Sequence, residues 1–267
     1  MSIDKHTLHR PVGIFDAGIG SYAIVRLVQQ HYPQQDVLYL ADRASFPYGA
    51  KDKDALFDVT SAAISRLRTM GAEAIIVASN APSITVLDAI RKTVAGPLLG
   101  VYPPVARAIA ISKSKSVGLL GVQSLVDSAE LRQYVLTQSA DNGRVTAFNA
   151  SPLVALVEAG DFIKNRALTQ ETIRRFLAPI MTANDAIDVF MLSSTHLPWL
   201  RPLLEAVAPR CVFLDPAEEV VARLAPHVTE GSGTVSAIVT ASSAYPFHEF
   251  EAMLHKLDIP LKTEWVE

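Results

Sequence analysis

Two short apolar runs, each ending in a cluster of small polar residues, constrain this chain more than any other feature. Residues 74–78 read Ala-Ile-Ile-Val-Ala and run into Ser79-Asn80-Ala81-Pro82-Ser83. Residues 187–192 read Ile-Asp-Val-Phe-Met-Leu and run into Ser193-Ser194-Thr195-His196, then Leu197-Pro198. Runs this short and apolar suit strands covered on both faces, and the segments between them carry helical spacing. The stretch from Asp54 to Met70 keeps Leu56, Val59, Ala63, Ile64 and Leu67 on one face and stops at Gly71, a typical helix end. Strands separated by helices of this length predict an α/β fold with parallel sheets.

The pattern occurs twice. Residues 12–15 form a strand closed by Asp16-Ala17-Gly18-Ile19-Gly20-Ser21, after which Ile24, Leu27, Val28 and Tyr32 space like a helix face. Residues 37–40 are a second strand, followed by Asp42 and a loop holding Pro47-Tyr48-Gly49, and 97–101 another strand. After Tyr102-Pro103-Pro104 the order restarts with a helix at 105–111 and a strand at 116–120, then a strand at 145–148, a turn and short helix at 151–160 and a helix at 170–182. Val12 and Val117 begin similar strands 105 residues apart, and Ser79 and Ser194 end similar strands 115 apart, so an internal duplication is expected. Residues 1–103 with 211–267 are read as a first α/β domain, including strands at 211–214 and 233–240. Residues 104–210 are read as a second.

Composition narrows the function classes. With 49% hydrophobic and 19% charged residues the chain is that of a globular protein, and no apolar run approaches the roughly 20 residues that span a bilayer. No membrane partner is expected. Residues 1–10 lack the basic-then-apolar order of a secretory signal, so a cytoplasmic location is expected. A net charge of -3 with mixed signs argues against a nucleic-acid surface. The single cysteine, Cys211, cannot form an internal disulfide, and its apolar surroundings read as core.

In an open parallel sheet, ligands bind beyond the carboxyl ends of the strands, where this chain places Asp16, Asp42, Ser79, Asn80, Ser194, Thr195 and His196. Free amides at the helix starts after Asn80 and Thr195 suit a small carboxylate. Each residue also has a structural alternative: Ser79, Ser83 and Thr195 as helix caps, His196 as a core histidine. Gly18-Ile-Gly20-Ser-Tyr-Ala23, with Asp42 after the next strand, fits a dinucleotide fingerprint, although Asp16 sets a carboxylate where a pyrophosphate needs positive potential. The alternative is a tight strand-to-helix turn with Asp42 as a cap.

At these residues the chain resembles glutamate racemase and the wider aspartate/glutamate racemase superfamily. The family's Phe-Asp-Ser-Gly appears as Phe15-Asp16-Ala17-Gly18, its Pro-Tyr-Gly as Pro47-Tyr48-Gly49, its Cys-Asn-Thr as Ser79-Asn80-Ala81 and its Cys-Thr-His as Ser194-Thr195-His196. Pro152-Leu153 and Leu156-Val157-Glu158 look like its acid-bearing segment. The resemblance implies two pseudo-symmetric α/β domains facing each other across a cleft, no metal or cofactor, a small carboxylate or amino-acid ligand, and commonly a homodimer. It implies catalytic positions at Asp16, Ser79, Glu158, Ser194 and His196, and ligand contacts from Ala17, Pro47, Tyr48, Gly49, Asn80, Ala81, Val122 and Thr195.

The departures fall on the chemistry. The family uses two cysteines, one taking the α-proton and the other returning one from the opposite face, and both are serine here. A thiol of pKa about 8.5 can be tuned to a thiolate, whereas an alkanol lies several units higher and is a poor base without a partner. Ala17 and Ala81 also replace hydroxyl residues, and Val122 stands where a threonine is usual. The sequence therefore supports three readings: a carboxylate-binding family member with lost or altered proton transfer, a hydrolase-like enzyme, and a non-catalytic binding protein. The hydrolase-like reading takes Ser79 or Ser194 as nucleophile, His196 as base and Glu158 as orienting acid. There the two-residue spacing points His196 away from Ser194 unless the turn is sharp, which favours Ser79.

Overall fold

The computed structural model describes residues 8–140 and 142–266, with the Asp161 side chain left aside. Most of the amino-terminal stretch read above against a secretory signal, residues 1–7, lies outside them. Among the described residues ten strands form two sheets: β1 Val12–Asp16, β2 Val37–Asp42, β3 Ala74–Val77, β4 Leu98–Gly100, β5 Ser116–Gly121, β6 Arg144–Asn149, β7 Val189–Ser193, β8 Val212–Leu214, β9 Val235–Thr240 and β10 Thr263–Trp265. The first sheet has the order β10-β9-β2-β1-β3-β4 and the second β6-β5-β7-β8. Every strand pair is parallel. Helices on both faces explain why β1, β2, β3 and β7 are buried at every position, as their unbroken apolar runs require.

The order β2-β1-β3-β4 recurs as β6-β5-β7-β8, so the duplication read from the strands at Val12 and Val117 is present in the topology. The same repeat corrects one expectation. The strand at 211–214 belongs to the second sheet, where Val212, Phe213 and Leu214 pair with Val189, Phe190 and Met191. A unit ending at 210 lacks the fourth strand that β4 supplies in the first half, and the chain returns to the first sheet only with β9, which pairs with β2. The strand β10 was not read from the sequence: three residues after a loop carry too little periodicity. Cys211 is buried, with its Sγ 3.8 Å from the Ile187 carbonyl oxygen. No helix among the described residues is long and apolar enough to cross a membrane.

The Phe213 ring is buried and stacked on Phe190, with centroids 5.5 Å apart. Phe213→Ala should therefore destabilise the protein by about 3–5 kcal/mol in urea unfolding. A loss under about 1 kcal/mol would place Phe213 outside the core of the second lobe.

Candidate functional site

The carboxyl ends of β1, β3 and β7 face one cavity of about 360 Å³ between the two sheets. All thirteen residues that the resemblance implies line it, Ser79 from the first lobe and Ser194 from the second, whereas Asp42 does not. Asp16 closes β1 and is buried; its Oδ1 accepts the Ala17 amide at 2.8 Å, and its Oδ2 accepts the Thr195 hydroxyl at 3.2 Å across the lobes. Burial pushes the Asp16 carboxyl above the ordinary range, Glu158 adds to the rise, and His196, the Ala17 amide and the Ser79 hydroxyl oppose it. The turn after β3 is held by Ser83, whose hydroxyl donates to the Ser79 carbonyl at 2.6 Å and accepts the Val101 amide at 3.0 Å. Asn80 Nδ2 donates to the Val101 carbonyl at 3.1 Å. Its Oδ1 is buried with no partner among the described residues. The capping alternatives do not hold, because Ser79 makes no cap bond, Ser83 bonds the backbone and Thr195 bonds Asp16.

The opposite wall is the helix Ser151–Glu158, which turns Ser151, Val154, Ala155 and Glu158 toward the cavity. That set is one helical face. Glu158 Oε1 lies 2.6 Å from His196 Nε2 and accepts the Ile19 amide at 2.9 Å, and Oε2 accepts Arg43 Nη1 at 2.7 Å. The side chains of Arg43 and Glu158 are only 5% and 11% exposed, and that of His196 is 7%. Burial alone would raise the Glu158 pKa, but the hydrogen bond and charge of His196, the Arg43 guanidinium and the Ile19 amide hold it down at about 2. Burial alone would lower the His196 pKa, but Glu158, and more weakly Asp16, raise it above the ordinary imidazole value. Each partner thus favours the other's charged form, the carboxylate of Glu158 and the imidazolium of His196.

The glycines beside Asp16 serve this pair. A Cβ on Gly18 would collide with Glu158 Oε1 and His196 Nε2, and one on Gly20 with the His196 backbone nitrogen. Asp42 is neither a cap nor free for a ribose: its oxygens accept the Tyr48 and Thr240 hydroxyls, each at 2.8 Å. The dinucleotide reading of this stretch is set aside on both counts. The exception allowed for a sharp turn between Ser194 and His196 applies here. The sharp turn after β7 leaves Nδ1 3.5 Å from the Ser194 hydroxyl. At the lip, a Cβ on Gly49 would lie 3.0 Å from Val122 Cβ, so the loops of the two lobes meet there.

Sequence reasoning missed Arg43, which sits behind the cavity with its guanidinium carbon 4.5 Å from the Phe46 ring centroid and near the Tyr245 and Phe250 rings. Nothing in strand periodicity says that an arginine at a strand end turns inward. It also missed Gly18, Phe46, Ser151 and Val154 in the lining, and Ser193, whose buried hydroxyl lacks a partner among the described residues. The i, i+3, i+4, i+7 spacing of 151, 154, 155 and 158 was the available signal for the helix face. Among the described residues no group of three or more His, Cys, Asp or Glu side chains is placed to hold a metal ion.

Two parallel-sheet lobes joined over a cleft with buried acid and base side chains define an α/β protein of the two-lobed cleft class. The Asp/Glu/Hydantoin racemase family matches residues 22–224, and the chain belongs to that family. A glutamate racemase from Roseiflexus sp. (strain RS-1) is 32% identical over 258 residues, covering 94% of this chain and 93% of the relative. One from Shewanella sp. (strain MR-4) is 34% identical over 221 residues, covering 81% and 78%. The solved glutamate racemase from Thermus thermophilus superposes with a TM-score of 0.79 at 27% identity, covering 96% of each chain. The Bacillus anthracis enzyme, at 20% identity, shares the fold with a TM-score of 0.83 over 98% of each chain.

Because the folded His196 pKa is raised, its contribution to stability is present below the unfolded value of about 6.5 and is lost as pH rises through the folded value. His196→Asn should therefore cost on the order of 3 kcal/mol near pH 5.5, shrinking above pH 7. Denaturant unfolding across pH 5–9 measures it. A cost that grows with pH would show that His196 is buried neutral.

Proposed function

We propose that this family member binds a small amino or dicarboxylic acid in the cleft and has lost, or greatly altered, two-base proton transfer. One observation carries the reading: His196, with Nδ1 3.5 Å from the Ser194 hydroxyl, is pinned through Nε2 by Glu158 at 2.6 Å, a contact that favours its imidazolium form. An imidazolium donates to the serine oxygen and cannot take its proton, so Ser194 stays a hydroxyl. Ser79 has only the Asp16 carboxyl beside it, a far weaker base than an alkoxide. The roles at the other positions follow the same reading. Asn80 offers its unpartnered Oδ1 to an ammonium or hydroxyl, while Ala17, Ala81 and Val122 bring no hydroxyl to the ligand. The ligand class is supported by the Thermus thermophilus relative, which was solved with β-chloro-D-alanine.

Solvent-deuterium exchange at Cα of glutamate and aspartate tests the loss. Exchange should be negligible, and turnover of roughly 1 per second or faster would mean that another base has taken over. Ser79→Cys with Ser194→Cys should also fail to restore strong racemisation. Each hydrogen bond missing to a charged group costs about 1.5–3 kcal/mol, so activity should additionally need Ala17→Ser, Ala81→Thr and Val122→Thr. Strong glutamate racemisation by the double cysteine variant would contradict this.

The order Ser194, His196, Glu158 favours a second reading, a serine nucleophile with a histidine base. It requires a neutral imidazole, against the direction of the His196 shift. A fluorophosphonate probe should leave the protein unlabelled; labelling abolished by Ser194→Ala would establish the hydrolase reading instead.

A further inference from the structure

Among the described residues, six side-chain hydroxyls line the cavity, those of Tyr48, Ser79, Ser151, Ser193, Ser194 and Thr195. Five of them have partners inside the protein. Tyr48 donates to Asp42 at 2.8 Å, Ser79 and Thr195 bond Asp16, Ser151 accepts the Gln123 amide at 3.2 Å, and Ser194 lies 3.5 Å from His196 Nδ1. Ser193 is the exception: it is wholly buried, and its hydroxyl meets no donor or acceptor among the described residues. We infer that Ser193 is a ligand-binding residue, its hydroxyl donating to a carboxylate oxygen of the bound acid. The family resemblance gives residue 193 no role. The inference deepens the small-acid reading above and rests on it.

The strand ends explain why this hydroxyl is left over. Ser193 is the last residue of β7. On one side it pairs with Gly121 of β5, which has no side chain to offer. On the other side β8 ends at Leu214, level with Met191 and so two residues short of Ser193. A buried hydroxyl without a partner forfeits its hydration, and folded chains keep few such groups unless something else meets them. The other hydroxyls in this condition, those of Thr60, Ser61 and Ser124, sit on the helices Lys53–Thr69 and Gln123–Val126 and do not line this cavity.

The rest of the lining sets the sense of the bond. An ammonium group finds acceptors in Asp16 and in the unpartnered Asn80 Oδ1. A carboxylate needs donors, and the Tyr48, Ser79 and Thr195 protons are already committed to Asp42 and Asp16. The Ser193 proton is committed to nothing. A hydroxyl donating to a carboxylate in a buried site makes the stronger, charge-assisted kind of hydrogen bond.

The experiment is calorimetric titration of the purified protein and of Ser193→Ala with both enantiomers of glutamate and with β-chloro-D-alanine, beside thermal melts of the two free proteins. The acid that binds the unaltered protein most tightly should lose roughly tenfold or more in affinity for Ser193→Ala. The free variant should melt at the same temperature or higher, because no bond within the protein goes with the hydroxyl. Equal affinity in the two proteins overturns the inference and leaves the small-acid reading standing. A variant that binds weakly but also melts well below the parent overturns it too, since the hydroxyl would then be a structural group. Binding of none of the three acids by the unaltered protein overturns both.

Discussion

The contact on which the rest of this site depends is the buried cluster of Glu158, His196 and Arg43. Glu158 hangs from a helix of the second lobe, yet it accepts the Ile19 amide and the Arg43 guanidinium from the first, and it fixes the ring of His196. With the Thr195 to Asp16 bond it joins the two lobes at the base of the cleft. Charges this buried need partners from every side, and each partner here comes from a different loop. The two sheets therefore meet in one geometry, and Gly18 and Gly20 are glycines because the cluster leaves no room for a Cβ.

The same cluster sets the chemistry. Arg43 and His196 hold the Glu158 pKa down, Glu158 raises that of His196, and the Ser194 hydroxyl lies 3.5 Å from the other ring nitrogen. A serine so placed is a polar wall of the cavity. Asp16 is the remaining acid–base group with an unsettled charge, pushed up by burial and pulled down by His196.

The parallel strands, the duplication and the cavity residues at strand ends, Asp16, Ser79, Asn80, Ser194, Thr195 and His196, were legible because they depend on local pattern, whereas Ala17, Pro47, Tyr48, Gly49, Ala81, Val122 and Glu158 came from the family resemblance. What the sequence left open depends on direction and partner. Three residues at Val212–Leu214 fit either sheet by periodicity, and only the repeated strand order assigns them. The arginine at 43 reads as a surface charge until a carboxylate from the other lobe, 115 residues away, is found beside it. The turn after β7 brings His196 back to Ser194, which their two-residue spacing allowed only for a sharp turn.

The central claim, that His196 is held as an imidazolium, is tested most directly by the nitrogen chemical shifts of its ring in protein labelled with ¹⁵N histidine at pH 7. The account predicts two protonated nitrogens with imidazolium shifts, and their loss to a neutral pattern in Glu158→Gln. A single protonated nitrogen in the unaltered protein would contradict it and restore His196 as a base for Ser194.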